Sequence, residues 1–446
     1  MGASNSKIIG YLPDERPPIW KLVLFAFQQI LVMFPATVLV ALLTGFHVET
    51  TIFAAGLATL GFVLVTRGKI PLFYGSSFSY IAAIVSITGV KNFGEVAPDA
   101  LISQAQFGII MSGLVSIIAG LVINWFGSDK IEKVLPPTVT GSIAIVIGIS
   151  LAGVALTGAA GGGVTGHAQD LAWIVALVTL VSTIVFSVYL KGTWGQLPIL
   201  FGILVGYGLA ASLGMIDFAN MFNGQIVSVP HFTFPDFSFG SGAMVALFAI
   251  MPIAIATIPE STAHLYQLDI YVDHLADQKG KKPYGIKNRL GWNLIGDGVG
   301  DMISSIFGGP AGTNYGENLS TMAITRNFSV PVLIAAAIIT MVIAFFSPLT
   351  QIVNSIPGSV IGGVSIYLFG VIGAQGIAIM INRKVDLFSS KNLAVISTIL
   401  VIGLGGSYVF NGMIPIFGIT VPAIATAALV GIILNLVLSI GKTHKE

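Results

Sequence analysis

The chain has 446 residues, 55% hydrophobic and only 9% charged, with a mean hydropathy of +0.92, whereas an average soluble domain carries roughly 25% charged residues. Such a composition describes a polytopic membrane protein and leaves no stretch for an additional soluble domain. A net charge of +1 gives nucleic acid no footing, and the absence of cysteine excludes disulfides, thiolate metal sites and thiol catalysis.

The first 18 residues are largely polar and include Pro13, Pro17 and Pro18. They lack the apolar core of a cleavable signal peptide, so the first span is expected to act as its own insertion signal. A spanning helix needs about 20 apolar residues. The sequence divides into fourteen spans, at 19–44, 50–66, 79–90, 103–126, 137–156, 170–190, 195–215, 242–264, 293–308, 319–327, 330–349, 359–381, 392–408 and 418–440. The longest polar connection is then 269–292, holding Lys279, Lys281, Lys282, Lys287 and Arg289. An even count puts both termini on one side. Alternating the loops places every Lys and Arg on that side except Lys91, and the positive-inside rule makes that side the cytoplasm. The expected setting is the plasma (inner) membrane, multi-pass, with both termini cytoplasmic.

The two halves echo each other. Residues 136–143 read Pro-Pro-Thr-Val-Thr-Gly-Ser-Ile and residues 357–364 read Pro-Gly-Ser-Val-Ile-Gly-Gly-Val, sharing Pro-x-x-Val-x-Gly. Upstream of each lies a helix-breaking segment, Pro71 to Phe78 in the first half and Pro310 to Glu317 in the second. Seven spans per repeat is an odd number, so the second half enters from the opposite face, as in the inverted repeats of secondary transporters. Most of the 53 glycines are expected to let helices approach closely. Two interrupted segments at matching positions are a different signal, because in transporters they mark the binding site. The glycine-rich stretch 158–166 lacks the Gly-Lys-Ser/Thr ending of a phosphate loop and reads as an external loop.

Ionisable residues inside spans are costly and mark substrate or ion paths. Glu260 and His264, four apart, lie on one helix face and can share a proton. Glu317 sits beside Tyr315-Gly316 on the second broken segment. A helix beginning at either broken segment offers unpaired N–H groups and a positive dipole end, suited to the carbonyl oxygens of a neutral ligand. The amides near Phe78 and Gly316 are the expected donors, and the Phe78 ring the expected stacking platform. The blander alternatives are a Glu260–His264 pair that only seals helix against helix, and a Phe78 that only packs. Asp297 and Asp301 are supporting candidates, lining a water path or bracing the cytoplasmic end.

These residues resemble the nucleobase-ascorbate transporter family, also called nucleobase cation symporter 2, and within it the bacterial uracil permeases. The resemblance rests on Gln28-Gln29-x-x-x-Met33-Phe34, Gly75-Ser-Ser-Phe78, Glu260-x-x-x-His264, and Tyr315-Gly-Glu-Asn followed by Met322-Ala-Ile-Thr325-Arg326. It implies an all-α fold of fourteen transmembrane segments in two inverted seven-span repeats, with short antiparallel strands in spans 3 and 10. It also implies a core domain (1–126 and 236–350), and a gate domain (127–235 and 351–446) that moves against it and often dimerises.

Carried onto this sequence, the family pattern makes Glu260 and Glu317 acceptors for pyrimidine N–H groups and gives Phe78 and Gly316 backbone amides to the base oxygens. His264 takes part in proton coupling with the two glutamates, and Tyr315 joins the binding site. Gln28, Ser77, Asn318, Phe369 and Asp297 support it from behind. Three positions depart from the pattern: Gln29 replaces a usual His, Ser320 a usual Gly, and Phe369 a frequent Tyr. They bear on the substrate rather than on the acid pair.

The expected function is a secondary transporter importing uracil with a proton by alternating access. Its expected partners are uracil or a related nucleobase, the proton, the lipid bilayer and a second copy through the gate domain. No nucleic acid, cofactor, metal or catalytic residue is expected. Rivals are a purine, xanthine or anion carrier on the same architecture and, behind these, a channel. An enzyme is disfavoured because no Ser-His-acid set, metal cluster or nucleotide motif accompanies Glu260 and His264.

Overall fold

Proline and glycine fix most helix ends in the computed structural model, which describes residues 10–90, 93–127, 135–192, 194–218, 225–416 and 419–440. Lys91, Lys130 and Lys133, used above in the charge asymmetry, lie outside these residues. Helix α1 (Ile19–Thr44) starts directly after Pro18 and stops at Gly45, whose φ of 77° is left-handed and whose N–H closes on Ala41. Helix α2 (Val48–Val65) follows at once. Strand β1 (Tyr74–Ser76) then leads through a short 3-10 turn, Phe78–Tyr80, into α3 (Ile81–Thr88) and α4 (Asp99–Phe126).

The middle of the chain forms α5 (Pro137–Ser150), α6 (Ala152–Ala159), α7 (His167–Tyr189), α8 (Pro198–Ser212) and α9 (Ser241–Ile250). Next come α10 (Ala254–Gln278), α11 (Leu290–Ile306), β2 (Gly312–Asn314), α12 (Gly316–Thr325) and α13 (Val330–Ile343). The chain continues with α14 (Ser347–Asn354), α15 (Gly358–Asn382), α16 (Ser390–Val409), the hairpin β3 (Met413–Ile416) and β4 (Ile419–Pro422), and α17 (Ala423–Ile440).

Among the described residues, nine helices are long and apolar enough to cross a membrane when α5–α6 (Pro137–Ala159) and α9–α10 (Ser241–Gln278) are each taken as continuous, and three shorter apolar ones run over Phe78–Thr88, Pro198–Ser212 and Val330–Ile343. The molecule is a mostly helical, multi-pass membrane protein. Two sets of helices pack mainly among themselves. In one, α11 lies on α4 and α2, α13 on α2 and α1, and α9 on α4. In the other, α15 lies on α5, α6 and α7, α16 on α17 and α5, and α7 on α8. The α4–α11 crossing is close enough to demand glycine on both sides. A Cβ on Gly298 would meet the Gly113 carbonyl oxygen at 2.2 Å, and one on Gly113 would meet that of Gly298 at 2.5 Å.

One expectation needs correction. Residues 269–292 are not a single polar connection, because α10 runs on through the polar residues to Gln278. The extension holds because its acids find partners outside the helix: Asp269 accepts the Lys287 N–H at 3.0 Å and Asp273 the Tyr284 N–H at 2.6 Å. Helix α14 and the β3–β4 hairpin were not anticipated.

At the other end of this extension, Lys279 and Lys281 reach Glu15 at 2.6 and 2.9 Å. Burial opposes the charge on Glu15, but these bonds and one from the Leu12 N–H outweigh it and hold the carboxyl down to about 2. The N-terminal segment is thereby tied to the end of α12, where the Tyr11 N–H donates to Arg326 and the Phe328 N–H donates to Tyr11, each at 2.8 Å.

Candidate functional site

The two broken segments pair with each other. Strands β1 and β2 run antiparallel, with Tyr74 opposite Asn314, Gly75 opposite Thr313 and Ser76 opposite Gly312. The pairing continues at both ends, from Tyr315 N–H to the Phe73 carbonyl and from Ser77 N–H to the Ala311 carbonyl, each at 2.9 Å. Non-helical backbone at this depth satisfies its polar groups by pairing across the two halves of the chain. It also aims two helix starts at one place: the turn opening at Phe78 after Ser77, and α12 opening at Gly316 after the extended Tyr315.

Asp301 locks this crossing. Its Oδ1 accepts the Tyr74 hydroxyl at 2.5 Å and the Gly312 N–H at 2.8 Å, one partner from each strand. One helical turn earlier, Asp297 accepts the Ser261 hydroxyl. Ser261 in turn accepts Nδ2 of Asn293 at 2.7 Å and Nδ2 of Asn314 at 3.1 Å. The residue beside Glu260 is thus the hub joining α10, α11 and β2. Asp297 and Asp301, which the sequence placed along a water path or near a cytoplasmic end, brace the strand pair and line a small internal cavity with Thr257, Gly312 and Thr313.

Glu260 stands on α10 immediately after Pro259, whose missing N–H interrupts the helix ladder. Its Oε2 accepts the Ser79 hydroxyl at 3.2 Å, linking it to the turn that Phe78 opens. Glu317 occupies the first turn of α12, directly after Gly316. His264 lies one turn along from Glu260 on α10. It packs so tightly on Gly316 that a Cβ there would sit 2.8 Å from its Nε2. The Phe78 ring meets Phe369 of α15 edge-on, centroids 5.9 Å apart, so the second set of helices reaches the same place.

The supporting residues are split. Tyr315 is buried, its hydroxyl 2.9 Å from Thr37 of α1, and its ring occupies the space a Cβ on Gly75 would need. Asn318 donates to Gln29, to the side-chain oxygen at 2.8 Å and the carbonyl at 2.9 Å. The residue that clasps Asn318 is therefore Gln29; Gln28 presents a buried Nε2 without a partner. Ser77 caps the turn by accepting the Ser79 N–H.

Glu260, His264, Glu317, Gly316 and Phe78 all keep some exposed surface, while Ser261, Asn314, Tyr315 and Asn318 around them are buried. Gln28, His264, Asp297, Thr313, Asn314 and Asn318 each carry a buried polar atom lacking a protein partner. Buried polar atoms are normally hydrogen-bonded, so each of these calls for an explanation. The arrangement offers two carboxylate acceptors, an imidazole, two helix starts and an aromatic edge.

The profile of a family described as "Permease family" matches residues 20–412. The chain belongs to that family. The permease is 38% identical over 426 residues to the uracil permease of Bacillus caldolyticus, covering 95% of this chain and 94% of that protein. It is 33% identical to the uracil permease of Bacillus subtilis, covering 99% and 98%. With the putative pyrimidine permease RutG of Escherichia coli it shares 34% identity over 96% of this chain and 91% of that one. Among solved structures, it superposes on the transmembrane domain of the cyanobacterial bicarbonate transporter BicA with a TM-score of 0.59 at 14% identity, covering 98% and 100% of the two chains. The inward-facing murine anion transporter Slc26a9 gives a TM-score of 0.67 at 12% identity, covering 97% and 70%. At those identities the shared property is the fold. Membership in a permease family makes the protein a transporter and not an enzyme.

Proposed function

We propose that this permease imports uracil together with a proton by alternating access, binding the base between α10 and α12. The observation that carries the reading is the convergence of α10 on both helix starts: Glu260 is bonded to Ser79 of the turn that Phe78 opens, and His264 packs on Gly316, beside Glu317 in the first turn of α12. Uracil presents N–H donors flanked by carbonyl acceptors, so a carboxylate beside a backbone amide matches each edge. Relatives named as uracil permeases support the same choice. An analogue lacking one N–H leaves a buried acceptor unpaired and is rejected strongly. An anion would face two carboxylates in the same cavity, which disfavours the rival anion carrier.

In this reading the helices packing on α4 and α11 form the core, and those packing on α15 form a gate that moves against it and pairs with a second copy. The fourteen spans form two inverted repeats, and both termini are cytoplasmic in the plasma (inner) membrane. A proton neutralises one acid of the cavity, which lowers the penalty of passing through a dry occluded state. His264 exchanges it. One inward proton gains about 2.3 kcal/mol per 100 mV and about 1.4 kcal/mol per pH unit, together enough for roughly 500-fold accumulation. The test is uptake of labelled uracil into vesicles with an imposed proton gradient. Accumulation that collapses with a protonophore and is blocked by excess uracil but not by xanthine or bicarbonate supports the proposal. Accumulation that follows sodium alone, or passes xanthine equally well, overturns it.

A further inference from the structure

Away from this site, His47, Asp99 and His231 converge from three separate parts of the chain. We infer that they form a site for a divalent transition-metal ion of the zinc class. His47 precedes the first turn of α2, Asp99 opens α4, and His231 lies on the extended segment that leads into α9.

One potential ligand atom from each residue lies within 4.8 Å of the other two. Asp99 stands at the centre, with Oδ2 2.9 Å from Nε2 of His231 and Oδ1 3.5 Å from Nε2 of His47. A zinc ion bound at about 2.0–2.1 Å holds tetrahedral ligand atoms about 3.3 Å apart, so closure needs only small side-chain shifts. Two imidazoles and one carboxylate leave the fourth position open to water, as half of the Asp99 and His231 side chains are solvent-exposed.

Two further observations point to a ligand. The Nε2 of His47 is buried and has no hydrogen-bond partner of ordinary geometry, although it faces the carboxylate. On the other side of the same ring, Nδ1 lies 3.8 Å from Oε1 of Glu49, a carboxylate that a small side-chain shift would bring to hydrogen-bond distance, where it would orient a metal-bound histidine. The two imidazole rings lie 4.3 Å apart at 41°.

The cluster is also held in place. The His231 carbonyl accepts the Thr50 hydroxyl at 2.6 Å, and the same segment is fixed at Thr233 by Gln106 at 3.0 Å. Both helix starts present positive dipole ends here, and Glu49 and Asp99 in their first turns offset them. A bound ion would staple the segment carrying His231 to the starts of α2 and α4. By the alternation of charged loops, this face is opposite the one rich in Lys and Arg.

The test is equilibrium dialysis of EDTA-stripped, full-length protein in detergent against ZnCl2, with thermal melting alongside. The expected result is saturable uptake of about one ion per chain and a melting rise of at least about 3 °C that MgCl2 does not reproduce. His231→Ala and Asp99→Asn should each weaken zinc affinity at least about tenfold while melting like the parent protein without zinc. Should His231→Ala fail to fold, Asp99→Asn reads the same contact by a near-isosteric change. Absence of zinc uptake by the parent protein, or parental affinity in a folded variant, overturns the assignment.

Discussion

Helices α4, α10, α11 and α12, with the β1–β2 pair, bury Asp269, Asp297, Asp301, Asn293, Asn314 and Asn318; the buried polar residues of α5, α7, α15 and α17 are Thr138, Ser142, Thr179, Thr183, Ser359, Ser365 and Asn435, none of them charged. In the first region the polar groups bond across elements: Asp301 to Tyr74 and Gly312, Ser261 to Asp297, Asn318 to Gln29. In the second, the buried hydroxyls of Ser142, Thr179 and Thr183 return to their own helix, while those of Ser359 and Ser365 have no partner. Its cross-helix bond between Ser187 of α7 and Tyr367 of α15 involves partly buried hydroxyls. A region tied by buried directional bonds resists rearrangement. Helices joined by apolar surface can shift with less loss, which is the division of labour that the alternating access proposed above would require.

The comparison breaks most visibly at the acids. Glu317→Ala should reduce uracil affinity at least about 100-fold, because it leaves a base N–H buried without an acceptor; unchanged binding of labelled uracil would remove the residue from the site. His264→Ala should abolish proton-driven accumulation while changing equilibrium binding by less than about tenfold, and uphill uptake that persists would refute its coupling role.

Smaller effects sharpen the contrast in stability. Asp301→Ala strands the buried Tyr74 hydroxyl and Gly312 N–H and should cost about 3 kcal/mol, with Tyr74→Phe costing about 1–2 kcal/mol, both read by thermal melting. Gly298→Ala should cost about 1–3 kcal/mol through its clash with the Gly113 carbonyl. By contrast Gly370→Ala on α15, with nothing within 4 Å of the added methyl, should be neutral or stabilise by up to about 1 kcal/mol. Equal responses at the two glycines would contradict the difference in packing.

Glu15 supplies the smallest effect and a pH signature. Its folded value near 2 lies below the usual 4.5. The stabilisation is therefore complete above about pH 4.5 and is lost as the pH falls toward 2. Glu15→Gln should melt lower than the parent by about 1 kcal/mol at neutral pH, and the gap should close in acid.

The sequence made some of this legible and hid the rest for physical reasons. Proline and glycine around Gly75 and Gly312 disclose the broken segments, because backbone interruption is local information. Pairing those segments with each other is not local, and the role of Asp301 as their clamp follows only from the fold. The same holds for Gln29, since adjacent glutamines on a helix differ only in the direction they face. The continuation of α10 to Gln278 is not legible because its polar residues look like a loop until the Lys287 and Tyr284 N–H groups are placed against Asp269 and Asp273. His47, Asp99 and His231 carry no motif at all, being far apart in the chain.

The most direct measurement is equilibrium binding of labelled uracil to the purified permease and to Glu260→Gln, Glu317→Gln and the double variant. If both acids hold one base, the parent binds saturably, each single change removes most of the affinity, and the double change adds less than the sum of the two. Full affinity in either single variant, or two independent additive losses, would contradict a shared site.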